Sequence, residues 1–223
     1  MTASNVPWSF CENRGKRMNK GGKDAAQTTR LIACGVFRPV LDTLRLERRY
    51  PNLRVTFLPS NLHVWPGKLK RQFSQEVRNS QRKNERIICL YGECFPDIDD
   101  YCERRGIARM PGLYCYEMLL GSEQFHSIMQ ETAGTFFVER ELMVHFDAYC
   151  AEPLELWDEE MRISYFKHYR RLLYVRQPTD PELIPRAREL AHFLQLSLEI
   201  RDADYLDFEQ KLVELIEGKD HGG

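Results

Sequence analysis

Three cysteines and one histidine are the residues of this chain whose types and positions could do chemistry together. They are Cys34, His63, Cys94 and Cys115, and each lies at the end of a short apolar segment or in the loop that follows it. Thiolate sulfur and imidazole nitrogen are ligands for zinc, and thiolates also hold iron–sulfur clusters. Because ligands of open parallel α/β sheets bind outside the carboxyl ends of the strands, we expect these side chains to meet at one metal site.

The spacing of these residues is weakly specific. The chain has no Cys-x-x-Cys pair and no His-Glu-x-x-His motif. A single cysteine is most often a buried, inert core residue, and a single loop histidine as often serves only as a hydrogen-bonding group. Only the recurrence at successive strand ends favours a shared site. Cys115 is predicted near a helix N-terminus, where the helix dipole favours the thiolate form.

The remaining cysteines do not follow this pattern. Cys89 lies inside a predicted strand, Cys102 in a predicted helix and Cys150 in a polar stretch. We interpret these three as structural residues.

Short apolar segments alternate with helical stretches along the chain. Strands are predicted at residues 31–35, 53–58, 86–91, 106–110, 135–139, 170–176 and 197–201, and helices at residues 40–50, 67–83, 97–104, 116–129, 158–169 and 206–217. A further helix is predicted to begin at Asp180 as the N-cap, with Pro181 as its first residue. This alternation is typical of βαβ units, so we expect a three-layer α/β fold with a mostly parallel sheet.

Two segments of the chain are loosely alike. The segments that begin at Arg30 and at Arg86 each contain an apolar strand, a turn with glycine and cysteine, and then a proline and a helix. An internal duplication is therefore a further hypothesis about the fold.

Length and composition predict one folded domain. The chain has 223 residues, of which 43% are hydrophobic and 29% are charged. We expect residues 29–223 to form a single α/β domain. Residues 1–28 are rich in basic residues, asparagine and glycine without periodicity, and we expect them to form a disordered basic tail.

Charge and cysteine content limit the partners and the cellular compartment that we expect. The net charge of −1 gives no overall field that would attract nucleic acid, so no nucleic-acid partner is expected. No apolar run approaches the ~20 residues of a membrane span. The seven cysteines are odd in number and no secretory signal pattern precedes them. We therefore expect a cytoplasmic protein whose cysteines are buried, ligating or nucleophilic rather than paired in disulfides.

Five short motifs occur in order across about residues 30–140. They are Ala33-Cys-Gly35, Leu62-His63 followed by Pro66 and Lys68-Leu69, Tyr91-Gly-x-Cys94, Cys115-x-x-Met-Leu-Leu-Gly-Ser122, and Gly134-Thr-Phe-Phe137. Together with the strand–helix pattern of residues 170–217, they resemble an uncharacterised prokaryotic family, domain-of-unknown-function family 1638, often encoded near corrinoid-dependent methyltransferases. The resemblance implies a shared role for Cys34, His63, Cys94 and Cys115, and corrinoid or methyltransferase proteins as partners.

Three classes of function stay open at this point. The first is a metal-site protein with zinc or an iron–sulfur cluster, acting as an accessory to corrinoid-linked methyl transfer. The second is an enzyme that uses a metal-bound or nucleophilic cysteine, such as Cys94, for methyl or acyl transfer. Glu93 and Glu117 lie near two of the thiols and could serve as bases, although surface carboxylates are the more usual interpretation. The third is a binding module with a closed structural zinc site.

Overall fold

The computed structural model describes residues 27–219, and these residues contain seven strands and ten α-helices. In chain order the strands are β1 (Thr29–Cys34), β2 (Leu53–Leu58), β3 (Arg86–Leu90), β4 (Ala108–Arg109), β5 (Thr135–Val138), β6 (Arg171–Arg176) and β7 (Ser197–Asp202). The helices are α1 (Arg38–Leu44), α2 (Leu46–Arg49), α3 (Pro66–Arg82), α4 (Ile98–Glu103), α5 (Cys115–Leu120), α6 (Ser122–Glu131), α7 (Arg140–Val144), α8 (Glu159–Phe166), α9 (Ile184–Phe193) and α10 (Tyr205–Glu217).

The strands form two sheets, and every pair of neighbouring strands is parallel. The first sheet has the order β2-β1-β3-β4 and the second has the order β5-β6-β7. At the end of β1, Cys34 is in register with Leu58, the last residue of β2. Ala33 is in register with Leu90, the last residue of β3. The carboxyl ends of these three strands therefore lie side by side at one edge of the first sheet.

The predicted α/β fold with parallel strands is confirmed, but the strands divide into two sheets where the sequence suggested one. The two similar segments begin with β1 and β3, which are direct neighbours in the first sheet. Their similarity therefore does not correspond to the division of the chain between the sheets, which falls between β4 and β5.

The two sheets share part of their core. In β6, Leu173 and Val175 belong to the apolar cluster of the first sheet, whereas Leu172 and Tyr174 belong to a second cluster with residues of α7 and α9. Since successive strand residues point to opposite faces, the central strand of the second sheet is covered on both sides, as is usual for parallel sheets.

The last helix packs on the first sheet although it follows the last strand of the second. The ring of Phe208 in α10 lies 5.5 Å from that of Phe37, and both side chains are buried in the core of the first sheet. Arg86, at the start of β3, donates hydrogen bonds to the carbonyl oxygens of Leu215 and Ile216. These contacts connect the end of the chain to the first sheet.

Two predicted helices are each interrupted by one residue with positive φ. The helix expected at residues 40–50 is divided into α1 and α2 at Arg45, which has a φ of 48°. The helix expected at residues 116–129 is divided into α5 and α6 at Gly121, which has a φ of 81°. Glycine adopts this conformation without the steric cost of a side chain.

The predicted helix start at Asp180 and Pro181 is wrong. The helix α9 begins at Ile184, with Pro185 in its first turn. The carboxylate of Asp180 accepts hydrogen bonds from the Tyr174 hydroxyl and the Gln177 backbone N–H instead. Asp180 therefore lies in the segment that leads to α9, and Leu183 is the N-cap of that helix.

The predicted tail lies outside the described residues except for its last two. Gln27 donates a side-chain hydrogen bond to the carbonyl of Asn84, at 2.9 Å. The carbonyl of Thr28 accepts the backbone N–H of Arg86, at 2.9 Å. Within residues 27–219, no helix combines the length and the apolar character needed to cross a membrane.

Candidate functional site

One cavity is lined by all four residues that the sequence analysis selected as ligands. It has a volume of about 360 Å³, and Cys34, His63, Cys94 and Cys115 all contribute to its wall. We call it the thiol cavity. It lies at the carboxyl ends of β1, β2 and β3, and residues that end β5 complete it. The fold thus brings the four candidate residues together in one place.

Cys34 is held at the very end of β1. The chain turns there into a 3₁₀ helix, Gly35–Phe37, and Cys34 is 6% exposed. The Tyr91 hydroxyl donates a long hydrogen bond, 3.4 Å, to the carbonyl of Ala33. Burial raises the pKa of the Cys34 thiol to about 12, so Cys34 is a neutral thiol around pH 7 as long as no cation lies beside it.

A close backbone contact joins the loops that carry Cys94 and Cys115. The Glu93 N–H donates to the carbonyl of Leu113 at 2.8 Å. A Cβ atom at Gly92 would lie only 2.3 Å from that same oxygen. A residue with a side chain at position 92 would push the two loops apart, so Gly92 is a steric requirement for bringing the two cysteines into one cavity.

Arg109, the last residue of β4, forms hydrogen bonds with both of these loops. Its Nη1 donates to the carbonyl oxygens of Tyr91 and Gly112, at 3.0 and 3.1 Å. Its Nε donates to Asp99 at 2.5 Å. One guanidinium therefore links the end of β3 to the loop before Cys115. Its positive charge also partly opposes the effect of burial, which raises the pKa of Cys94.

Cys115 is the first residue of α5, as the sequence predicted for a thiol near a helix start. The expected stabilisation of its thiolate is not found. Burial raises the pKa of Cys115 well above its ordinary value, and the nearby Glu139, Cys34 and Cys94 raise it further. The hydrogen bond from the backbone N–H of Tyr116, at the start of the helix, lowers this pKa by less than burial raises it.

His63 lines the thiol cavity, and one of its two ring nitrogens is engaged with the backbone. It lies in the 3₁₀ helix Ser60–Val64 that follows β2, and its Nδ1 is 2.6 Å from the carbonyl oxygen of Ser60. If Nδ1 carries the proton that this contact requires, Nε2 has the free lone pair of a metal-binding imidazole. Burial lowers the pKa of His63, which favours this neutral form.

Glu139 is the acidic residue that the sequence analysis missed. It lines the thiol cavity immediately after β5 and is 4% exposed. Its two carboxylate oxygens accept the backbone N–H groups of Glu141 and Leu142, at 2.7 and 2.9 Å, so that it caps α7. Burial is the main cause that raises its pKa to about 7. A charged residue directly after an apolar strand is the signal that could have identified Glu139. The predicted strand of residues 135–139 included Glu139, so it was treated as part of the strand.

The two carboxylates named as bases in the sequence analysis have different positions. Glu93 is exposed at the wall of the thiol cavity, as expected of a surface carboxylate. Glu117 is buried, contrary to that interpretation, and its Oε2 accepts the Leu113 N–H at 2.7 Å. Glu117 therefore holds the loop before Cys115 in place.

Aromatic rings form much of the remaining wall. Tyr116 stacks on Phe137 with ring centroids 4.6 Å apart, and Tyr114 stacks on the other side of the pair at 5.1 Å from Tyr116. This stack connects the start of α5 with the end of β5. It gives the thiols an apolar environment, which is the reason that their charged forms are disfavoured.

The three cysteines interpreted as structural lie outside the thiol cavity wall. Cys89 and Cys102 are buried, with 0% and 2% exposure. Cys150 is half-buried next to the second apolar cluster, and burial raises its pKa to about 11. Each packs as a core thiol does, and none shares the position of the four candidates.

The donor set of the cavity suits a soft metal, but the side chains are not arranged around one ion. Thiolate and imidazole are ligands of zinc and of iron–sulfur clusters. Among residues 27–219, no three His, Cys, Asp or Glu side chains have the arrangement of a metal-ion site. The shared cavity is thus a property of the fold, and ligation of a metal at one point stays a prediction.

The fold and this cavity define a parallel α/β protein with thiols gathered at the ends of its strands. The chain belongs to the family described as Protein of unknown function (DUF1638), whose profile matches residues 57–212. The matched segment includes His63, Cys94 and Cys115, and Cys34 precedes it. No significant match was found among curated proteins or among solved structures.

Proposed function

We propose that the thiol cavity binds a thiolate-ligated metal centre, with Cys34, Cys94 and Cys115 as ligands and His63 as a fourth ligand or as a hydrogen-bonding support. One observation carries this proposal. Three thiols and the buried carboxylic acid of Glu139 line one cavity, and no lysine or arginine is among its described lining residues. A bound cation would add positive charge to a wall that has no lysine or arginine among its described residues, and it would favour the thiolate forms.

The state of the thiols favours metal binding over nucleophilic catalysis by a free cysteine. A nucleophilic cysteine needs a thiolate, which a lowered pKa provides. The pKa values of Cys34, Cys94 and Cys115 are all raised, chiefly by burial. A metal ion deprotonates a coordinating thiol outright, so metal binding would turn these inert thiols into ligands.

The size of the cavity favours a cluster over a single zinc ion. A zinc ion holds its sulfur ligands at ~2.3 Å and would fill little of the cavity's roughly 360 Å³. An iron–sulfur cluster is larger, so thiolates that are farther apart can hold it. Such a centre would supply electron-transfer or Lewis-acid chemistry, and the chain would hold it, shield it from water and control access to it.

A second candidate is an enzyme that transfers a methyl or acyl group at a metal-bound thiolate. The exposed rim of the cavity favours it, because Leu113 and Tyr114 line the cavity and are 45% and 44% exposed. A partly open cavity could admit a small substrate beside the metal centre. The role as an accessory to corrinoid-linked methyl transfer belongs to the first proposal, the metal-site protein, and rests on the family resemblance alone.

Anaerobic purification with metal and sulfide analysis tests the metal proposal. We expect the protein to contain iron and acid-labile sulfide, and to absorb visible light, directly or after reconstitution. Cys94→Ser and Cys115→Ser should each lower the metal content, because each removes one of three thiolate ligands. Cys150→Ser is the matched control, since Cys150 is also a thiol with a pKa raised by burial but lies outside the cavity wall.

The outcomes separate the alternatives. A colourless protein that holds zinc and loses it in the same two variants would replace the cluster with a zinc site in the same place. A protein that takes up neither metal, or that loses metal equally in Cys150→Ser, would overturn the proposal.

A further inference from the structure

A second cavity lies at the carboxyl end of the second sheet. It has a volume of about 540 Å³ and is bounded by the ends of β6 and β7 and by the segment that leads into α9. Its polar lining residues include Tyr174, Arg176, Asp180, Glu182 and Asp202. We call it the Asp180 cavity. Its position is the one at which parallel α/β sheets bind ligands, and its volume is in the range of small-molecule sites.

Asp180 has one satisfied and one unsatisfied carboxylate oxygen. Its Oδ2 accepts the Tyr174 hydroxyl at 2.7 Å and the Gln177 N–H at 2.9 Å. Its Oδ1 is buried, and no donor among the described residues reaches it. Leaving a buried acceptor unpaired is costly, and the cost is greater for a charged group. The carboxylate is thus fixed in orientation on one side and lacks a donor on the other.

The charges around this cavity favour a donor that carries positive charge. Its described lining residues include three carboxylates, Asp180, Glu182 and Asp202, and one cation, Arg176. Arg176 is already engaged, because its Nε and Nη2 donate to both oxygens of Asp202 at 2.6 and 3.0 Å. The excess of acceptors in the cavity therefore has no cationic partner in its described wall.

One buried glutamine connects the wall of the Asp180 cavity with the wall of the thiol cavity. Gln177 lines the Asp180 cavity and is 1% exposed. Its Nε2 donates, at 3.4 Å, to the carbonyl of Val36, which lines the thiol cavity. Its Oε1 accepts the Tyr205 hydroxyl at 2.9 Å. A molecule bound in the Asp180 cavity would therefore lie beside the thiol cavity.

We propose that the Asp180 cavity binds a small molecule that carries a protonated amine, which pairs with the incompletely hydrogen-bonded carboxylate of Asp180. The remaining carboxylates of the cavity favour the positive charge, and Leu183 and Ile184 provide apolar contact for a short carbon chain. This inference does not depend on a metal in the thiol cavity.

Amide chemical-shift mapping of the wild-type protein tests the proposal with n-butylamine and putrescine as probes and n-butanol as the neutral comparison. We expect the amines to shift the amide signals of Gln177 and Ile184 in a saturable manner, and butanol to have little effect. Asp180→Asn should weaken amine binding by at least about tenfold, because it replaces Oδ1 or Oδ2 and removes the charge.

Two control variants show whether amine binding depends on Asp180 itself. Asp42→Asn removes an equal charge from an exposed position on α1 and should leave amine binding unchanged. Cys94→Ser should also leave it unchanged, whether or not the thiol cavity binds metal. The proposal is overturned if butanol binds as well as the amines or if amine binding survives Asp180→Asn. It is also overturned if the amide signals that the amines shift in the wild-type protein lie outside residues 174–184. If Asp180→Asn does not fold, the amide shifts that the amines and butanol cause in the wild-type protein test the proposal by themselves.

Discussion

The carboxyl edges of the two sheets have the same place in the fold and opposite chemistry. At the edge of the first sheet, three thiols and an imidazole lie among aromatic rings. At the edge of the second sheet, three carboxylates and an arginine surround a more polar cavity. Parallel strands create a cavity at each edge, and the residues placed just after each strand decide what it can bind.

Burial accounts for the difference in charge between the edges. In the thiol cavity, burial raises the pKa values of the cysteines and of Glu139, so that without a cation the cysteines are neutral near pH 7 and Glu139 is partly protonated. In the Asp180 cavity, Asp202 is exposed and paired with Arg176, which lowers the pKa of Asp202. The first edge is therefore suited to a soft metal that displaces protons, and the second to a ligand that arrives with its own positive charge.

Among the variants that test this comparison, Gly92→Ala should have the largest effect on stability and on metal binding by the thiol cavity. Its Cβ would lie 2.3 Å from the carbonyl oxygen of Leu113, so the loops of Cys94 and Cys115 must separate. We expect a loss of about 3 kcal/mol in the free energy of unfolding, at the upper end of overpacking costs, together with loss of metal. Urea unfolding and metal analysis measure both effects.

Gly67→Ala is the matched control for this substitution. A Cβ atom at Gly67, in the first turn of α3, would approach only the flexible end of Arg71, at 3.9 Å. Stability should be unchanged or slightly higher. Equal stability of the two variants would contradict the role assigned to the contact between the loops.

The next effect concerns the pH dependence of the metal-free protein. The pKa of Glu139 is raised from 4.5 to about 7 in the folded state, so the folded state binds more protons than the unfolded state within this window. Stability from this group is complete below about pH 4.5 and is lost as the pH rises through about 7. At 1.36 kcal/mol per pKa unit, the loss is roughly 3 kcal/mol.

Glu139→Gln should remove this part of the pH dependence. Urea unfolding of both proteins across the same pH range gives the difference in slope, which is insensitive to the constant cost of the altered cap of α7. Parallel slopes for the wild type and the variant would show that Glu139 titrates normally.

The smallest effect is expected at the contact between the two cavities. Tyr205→Phe removes the hydroxyl that donates to Gln177 Oε1. We expect a loss of about 1 kcal/mol in stability, the usual net contribution of one hydrogen bond. Amine binding should weaken, since Gln177 also donates its N–H to Asp180, while metal content stays the same. Equal weakening of both ligands would indicate a general loosening of the fold.

The sequence predicted the thiol cavity better than the Asp180 cavity for a physical reason. Cys34, Cys94 and Cys115 each follow a run of apolar residues that can be recognised as a strand, and strand ends converge in a parallel sheet. Glu139 was missed because the boundary between strand and loop cannot be fixed to one residue from apolar character alone.

The Asp180 cavity depends on contacts that local patterns do not contain. Asp180 followed by proline is a good helix start in isolation, but the hydroxyl of Tyr174 and the N–H of Gln177 bind its carboxylate in the folded chain. The division into two sheets was likewise hidden, since the apolar residues of β5 and β6 do not show which strands pair. Gly121 falls inside the single helix predicted at residues 116–129 and is instead the break between α5 and α6.

X-ray absorption at the metal edge of the anaerobically loaded protein tests the central claim most directly. We expect a shell of sulfur neighbours at ~2.3 Å, the distance of metal–thiolate bonds. Cys115→Ser should reduce the sulfur contribution to that shell, and Cys150→Ser should leave it unchanged. A shell of nitrogen and oxygen at ~2.0–2.1 Å, or a sulfur shell unaffected by Cys115→Ser, would contradict a thiolate-ligated centre in the thiol cavity.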